Sequence, residues 1–279
     1  MSTRPTAVPA RGRLIRAGVL ALGLTYVAIL LLAPIVGIVW TALKGGPHVV
    51  SDTLAQADVR HAFFLTGIIA AVTVGVTAVL GMVVALVLAR DRFFGKRIVS
   101  AIVDLPFAVS PVIVGLAAVV LFGRGGWFEA FFAARGIQVI FALPSMILVT
   151  IFICIPFVIR EVVPVLEELG TEEEDAARTL GASPMQAFIR ITLPNMRWAL
   201  LYGVALSTAR ALGEIGAVLI VSGAIQGQTE TATLYVLRAL EERQDAAGYL
   251  VALTLAAVSV LVLLGIEVFK RRQAKEMGR

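Results

Sequence analysis

Arg210 and Glu214 stand one helical turn apart inside an apolar run, a spacing that lets them pair on one helix face. Asp104 is the third ionisable residue inside such a run and a further candidate partner for Arg210. A charge at the centre of a bilayer costs at least ~2.5 kcal/mol, so each of these side chains has to face a counter-charge or a water-filled cavity. Two roles follow. Either the charges form an internal salt bridge that fixes helix packing, or Arg210 lends positive potential to an anion path. Enzymatic chemistry finds no foothold: the chain has no nucleophile–His–acid triad, paired-carboxylate site or His-Glu-x-x-His sequence. Its only Gly-Lys pair, Gly95-Lys96, is followed by Arg97 and lacks the upstream glycine of a phosphate-cradling loop. Cys154 is the sole cysteine, and the two histidines, His48 and His61, fall outside the apolar interiors. No disulfide within the chain can form, and neither a catalytic residue, a metal site nor a bound cofactor is expected.

The second cluster of informative residues is polar. Between Arg160 and Arg197 the chain reads Glu-Glu-Leu-Gly-Thr-Glu-Glu-Glu-Asp-Ala-Ala-Arg-Thr-Leu-Gly-Ala-Ser-Pro from Glu167, then Met185 to Pro194. Local rules predict two short helices. Thr171 is the expected N-cap, with Glu174 completing a capping box, and Glu172, Glu173, Glu174 and Asp175 complement the helix dipole. Gly181 can take the left-handed conformation that ends this helix. Ser183 is expected to cap a second helix with Pro184 at its first position. Leu193-Pro194 is expected to stop that helix before the next apolar run. The product is a helix–turn–helix elbow.

These residues are carried by a chain that is 59% hydrophobic and only 15% charged over 279 residues, with a mean hydropathy of +0.92. A soluble domain carries about 25% charged residues. The apolar residues come in long runs rather than alternating, which excludes an outer-membrane barrel and predicts an all-α polytopic membrane protein. Six transmembrane helices are expected, at Ala17–Leu43, His61–Ala89, Ile98–Gly123, Ile137–Ile159, Trp198–Gly223 and Ala247–Phe269. The third, with Pro106 and Pro111 flanking a small-residue stretch, is the one expected to be kinked or broken. The first run is too long for a signal-peptide core and reads as a spanning helix.

Residues 1–16 and 270–279 are expected to form basic tails around a six-span body at 17–269, with the polar elbow at 160–197. Of 24 Lys and Arg, 17 fall in the N-terminal tail, Arg90–Arg97, Arg160–Arg197 and the C-terminal tail. By the positive-inside rule both termini and the elbow are cytoplasmic. The net charge of +5 is thus a topology signal, and no nucleic-acid partner is expected beside the lipid bilayer.

Asp175-Ala176-Ala177, three residues, Gly181, nine residues, then Ile191-Thr192-Leu193-Pro194 resembles the EAA loop of bacterial ABC importer permeases, with Asp175 in place of the usual Glu. The segment Ala209-Arg-Ala-Leu-Gly-Glu-Ile-Gly-Ala217, followed by Val221-Ser-Gly, resembles permeases for tetrahedral oxyanions, with Ile215 in place of the usual Phe. Stretches from Leu180 to Ser183, from Thr192 to Gly203 and from Val221 to Thr229 are similar to the CysW-type sulfate permeases. The resemblance implies a type I importer (MetI-like) fold in the bacterial inner membrane. It implies import of sulfate or thiosulfate, with molybdate or tungstate as the alternative cargo. It also implies that Asp175, Ala176, Ala177, Gly181, Ser183, Pro184, Ile191, Leu193 and Pro194 couple to a separate ATPase. The implied partners are a CysT-type sister permease forming a heterodimer, two copies of an ABC ATPase subunit that hold ATP and Mg, and an external sulfate-binding protein.

From another class, an ion-coupled secondary transporter fits the broken third run and the intramembrane carboxylates, but has no use for the elbow. On the opposite side, residues 224–246 include Thr231–Arg243, with Leu234, Leu237 and Leu240 at steps of three. This segment is expected to form a short helix on the outer membrane face, as a connector or a docking surface.

Overall fold

The computed structural model describes residues 10–277. Residues 1–9 and 278–279, the extreme parts of the two basic tails and the site of Arg4, lie outside the described residues. The described chain is all helix and turn. Its elements are α1 (Ala10–Leu43), α2 (Gly46–Ala55), α3 (Ala57–Arg90), α4 (Lys96–Ala108), α5 (Pro111–Phe122), α6 (Glu129–Ala133) and α7 (Leu143–Leu169). They continue with α8 (Glu172–Thr179), α9 (Pro184–Ala187), a π-turn (Phe188–Thr192), α10 (Leu193–Leu212), α11 (Gly216–Ser222), α12 (Ala232–Glu241) and α13 (Asp245–Met277). Four helices are long and apolar enough to cross a membrane, and six spans result if α4–α5 and α10–α11 each count as one bent span.

Helix α7 is the axis of the bundle, packed along α3 and α10 and touched by α4, α5 and α11. Lipid supplies no hydrophobic drive between helices, so close backbone approach through small residues has to hold them. The chain provides this at Val158. A Cβ on Gly81 of α3 would lie 2.8 Å from Val158 Cβ, and one on Gly203 of α10 would lie 2.8 Å from Val158 Cα. Around this point Ala85, Leu88, Ile159, Val162, Leu166 and Met196 form a buried core toward the cytoplasmic end. A second core toward the other end joins Leu65 and Ile69 to Val114, Met146, Val149 and Val218. Helices α1 and α13 pair at the margin, and α1 leaves residues 18–37 exposed.

The third expected span is broken, as Pro106 and Pro111 foretold, with α4 and α5 bent by 111°. The fifth is also broken, by 54° between Leu212 and Gly216. The two breaks lie against each other: a Cβ on Gly216 would stand 3.1 Å from Pro111 Cβ, and one on Gly115 would stand 2.9 Å from Ala217 O.

Three further expectations are corrected. The fourth span begins at Leu143 rather than Ile137, because Pro144 has no N–H to give and sits in the first turn. The apolar residues before it fold onto α11, where Phe141 N donates to Val221 O at 2.8 Å. Helix α12 does not lie on the outer face. It is wedged between α3 and α13 with Ala232, Tyr235 and Ala239 buried, so Leu234, Leu237 and Leu240 form no surface stripe. Finally, Leu193-Pro194 stops nothing. The chain is helical from Pro184 to Leu212 through the π-turn, in which Leu193 N reaches back to Phe188 O. The wider turn absorbs the proline's missing donor instead of ending the helix.

Substituting Gly203→Ala drives a Cβ into α7 backbone and is expected to cost about 1–3 kcal/mol of stability. Gly75→Ala on α3, where a Cβ meets nothing within 4 Å, is expected to be neutral or stabilising. Thermal melting of the purified chain in mild detergent distinguishes the two.

Candidate functional site

Helix α8, the first limb of the elbow, has no buried residue. Its chain connections run through two glycines in left-handed backbone, Gly170 at φ +63 and Gly181 at φ +89, each with open space where a Cβ would be. A non-glycine residue is strained in this conformation whatever the room around it. Gly181 N donates to Arg178 O and Ala182 N to Ala177 O, which closes the end of α8.

The expected capping box at Thr171 does not form. Thr171 has φ −112 and ψ 0, not the extended backbone that aims a capping hydroxyl at the first turn, and no side-chain cap is made there. Glu174 is used elsewhere. Its Oε1 accepts from Arg90 Nη2 at 2.8 Å and from Thr192 Oγ1 at 2.9 Å. Arg90 Nη1 donates to Leu166 O at 3.0 Å, one of the last four carbonyls of α7. Glu173 Oε2 accepts from Asn195 Nδ2 at 2.9 Å. The acidic first turn therefore ties α8 to the cytoplasmic ends of α3, α7 and α10. Asp175 meets only its own helix, at 3.5 Å from Arg178, an exposed pair worth little.

The capping box belongs to the second limb. Ser183 Oγ accepts from Gln186 N, and Gln186 Oε1 accepts from Ser183 N at 2.8 Å, with Pro184 in the first turn. Ala187 and Thr192 are buried beneath it, Ile191 and Leu193 are half-buried, and Pro194 is exposed. At the bend between the limbs, Leu180 is 89% exposed and Met185 65% exposed, so two large apolar side chains stand bare there.

The intramembrane charges separate into two pairs. Arg210 Nη1 lies 2.7 Å from Glu214 Oε2, and the Glu214 side chain is 2% exposed. Glu214 Oε1 also accepts from Ala217 N at 2.9 Å, and Thr233 Oγ1 donates to Glu214 O at 2.8 Å. These contacts satisfy backbone groups that the break between α10 and α11 sets free, as an apolar environment demands. Asp104 is not part of this cluster. It pairs with Arg160 of α7, whose Nε lies 2.6 Å from Asp104 Oδ1 and whose Nη2 also reaches Ser100 Oγ at 3.1 Å. The reason is topological: the bend after α4 holds Asp104 alongside α7 rather than α10. Cys154 is buried and exchanges contacts with Ser207, whose Oγ donates to Cys154 O at 3.2 Å.

Sequence reasoning missed Arg90, Arg160, Thr192 and Asn195. In the sequence Arg90 and Arg160 register only as topology charges, and the available signal is that each closes a long apolar run. It also missed an outer ion pair. Glu230 is buried, and Arg238 grips it with contacts of 2.7 and 3.0 Å while lying over the Tyr235 ring. The hydrogen bonds that Arg238 donates to the Glu230 carboxylate push the Arg238 pKa up, which keeps the cation charged. Among the described residues, no group of three or more His, Cys, Asp or Glu is arranged to hold a metal ion.

The family described as "Binding-protein-dependent transport system inner membrane component" matches residues 78–277. The "Sulfate transport system permease protein CysW" of Synechocystis is 44% identical over 91% of this chain and 92% of its own length. The "Sulfate transport system permease protein CysT" of Salmonella typhimurium is 36% identical over 91% of each. Among solved structures, one described as a bacterial alginate ABC transporter in complex with an alginate pentasaccharide-bound periplasmic protein superposes with a TM-score of 0.77. It is 18% identical and covers 95% of this chain and 96% of its own, so the two share a fold.

Arg210→Gln leaves a buried carboxylate without its counter-charge and is expected to cost about 3–5 kcal/mol. The double change Arg210→Gln with Glu214→Gln is expected to recover part of that loss, because it removes the stranded charge as well. Melting of Arg210→Gln, Glu214→Gln and the double variant beside the parent checks the coupling, and strict additivity would show that the two side chains do not interact.

Proposed function

We propose that this chain, which belongs to the binding-protein-dependent transport system inner membrane component family, carries a tetrahedral oxyanion, sulfate or thiosulfate, through the bacterial inner membrane. It is a multi-pass permease subunit of an ABC-type importer and is not itself a catalyst. Importers of this kind work with ATPase subunits and an external binding protein. The observation that carries the choice of cargo is the 44% identity to a sulfate permease over nine-tenths of both chains. The greater likeness to the CysW relative than to the CysT relative supports a heterodimer in which a CysT-type sister faces this chain.

The elbow is the surface we assign to the ATPase. Asp175, Ala176, Ala177 and Gly181 shape its first limb and turn, and Ser183, Pro184, Ile191, Leu193 and Pro194 its second. Leu180 and Met185 supply bare apolar contact at the bend, where an unoccupied surface would be costly in water. The second limb is continuous with α10, so a push on the bend acts along a spanning helix with no loop to absorb it. Arg210, paired with Glu214 beside the break in the fifth span, is the group we assign to the anion path as well as to packing. Asp104 is assigned with Arg160 to the cytoplasmic part of that path.

Cells lacking this chain are expected to lose uptake of labelled sulfate and to regain it on complementation. Molybdate in excess is expected to compete weakly. Strong competition would move the cargo to molybdate or tungstate, and uptake that survives ATP depletion but collapses with the proton gradient would favour an ion-coupled carrier. Gly181→Pro is a sharper probe, since proline cannot adopt φ +89. The variant is expected to insert normally yet lose substrate-stimulated ATP hydrolysis in the assembled complex. Full stimulation with that change would remove the elbow from the mechanism.

A further inference from the structure

An elbow helix with no buried residue, joined to the chain through Gly170 and Gly181 in left-handed backbone, has little stiffness in its covalent connections. Whatever moves α8 can move α3 and α7 only through its side-chain contacts, and those meet on one carboxylate oxygen. Glu174 Oε1 receives Arg90 from the last residue of α3 and Thr192 from the π-turn that opens into α10. The same guanidinium holds Leu166 O near the end of α7. The Arg90 and Glu174 side chains are 17% and 13% exposed, and Thr192 is buried. The pair is thus shielded from water and salt, where charge-assisted hydrogen bonds are strongest.

We propose that Arg90, Glu174 and Thr192 form the joint that transmits motion of the elbow to α3, α7 and α10 together. The inference rests on the permease reading and deepens it. The residues are positioning residues, because none of them has to touch nucleotide or cargo. Glu174 is the hub. It lies next to Asp175, yet it faces the membrane bundle while Asp175 faces solvent. One acidic residue of the first turn is therefore free for the ATPase while its neighbour anchors the lever. With the joint intact, α8 cannot shift without dragging the ends of two spans and the start of a third. With it broken, motion of α8 still reaches α10 through Glu173 and the second limb but no longer carries α3 and α7 with it, and hydrolysis is poorly coupled to import.

The test uses the complete complex of this chain with its ATPase, sister permease and binding protein in lipid vesicles. Arg90→Gln and Glu174→Gln are each expected to lower sulfate imported per ATP hydrolysed about tenfold, the weight of one charge-assisted contact. ATPase activity and co-purification of the subunits are expected to persist. Arg90→Lys, which keeps the charge, and the exchange Arg90→Glu with Glu174→Arg are expected to restore part of the ratio. Import and hydrolysis falling in parallel, or an unchanged ratio, would overturn the joint.

A second measurement does not depend on the cargo. Spin labels on Arg92→Cys and Glu172→Cys, both exposed sites in a chain whose own cysteine is buried, report the distance between α3 and α8. That distance is expected to be the same without nucleotide and with vanadate-trapped nucleotide in the parent, and to differ in Arg90→Gln. A distance that changes in the parent overturns the proposal. Should the parent complex fail to import sulfate, the oxyanion reading falls while the label distances still decide the joint.

Discussion

Helix α7 can hold its two long neighbours only because Gly81 and Gly203 present no side chain where each meets Val158. In water, burial of Leu and Val would bring helices together with much less regard for fit. In lipid the surroundings are as apolar as the side chains, and what remains is dispersion at close range, which a fraction of an ångström can forfeit. The bundle therefore depends on backbone-to-side-chain contacts of α3 and α10 on one valine. The buried core from Ala85 to Met196 is assembled around that point. The breaks, the elbow and the charged pairs are placed by a frame set there.

Within the frame, the two broken spans pose the harder physical problem. Each break frees backbone donors and acceptors in a region with no water to receive them, and the chain answers with its own polar groups. Glu214 accepts from Ala217 N, and its carbonyl receives Thr233 from α12. Arg210 neutralises the charge so introduced. A buried pair of this kind contributes little to net stability, but its geometry fixes the angle between the two halves of the span. Placing the breaks back to back, with Gly216 against Pro111 and Gly115 against Ala217, lets the kinked segments share one surface.

The elbow obeys the opposite logic. Its first limb buries nothing and is anchored by polar contacts alone, while its second limb is the cytoplasmic extension of α10. A hydrophobic anchor would have no preferred direction. Hydrogen bonds donated by Asn195 to Glu173 and by Arg90 and Thr192 to Glu174 have one, and they set the orientation of α8 against three helices. The bend remains exposed, with Leu180 and Met185 uncovered. The result is a limb stiff toward the bundle and open toward a partner.

Much of this was legible in the residues themselves. Long apolar runs with few charges dictated helices in lipid, and Pro106 with Pro111 marked the broken third span. Gly181, Ser183 and Pro184 announced the turn and the cap, and Arg210 with Glu214 announced a pair, because all of these are local signals within one turn of chain. What only the tertiary structure decided is which distant groups meet. Asp104 met Arg160 instead of Arg210, and Glu174 left its own helix terminus for Arg90, eighty-four positions away in sequence. Helix α12 left the surface for the cleft between α3 and α13, and Pro194 was carried through a π-turn. In each case a local preference worth about 1 kcal/mol yielded to a longer-range one: a charge seeking a buried counter-charge, or an apolar face seeking a groove. Those partners exist only once the helices have packed.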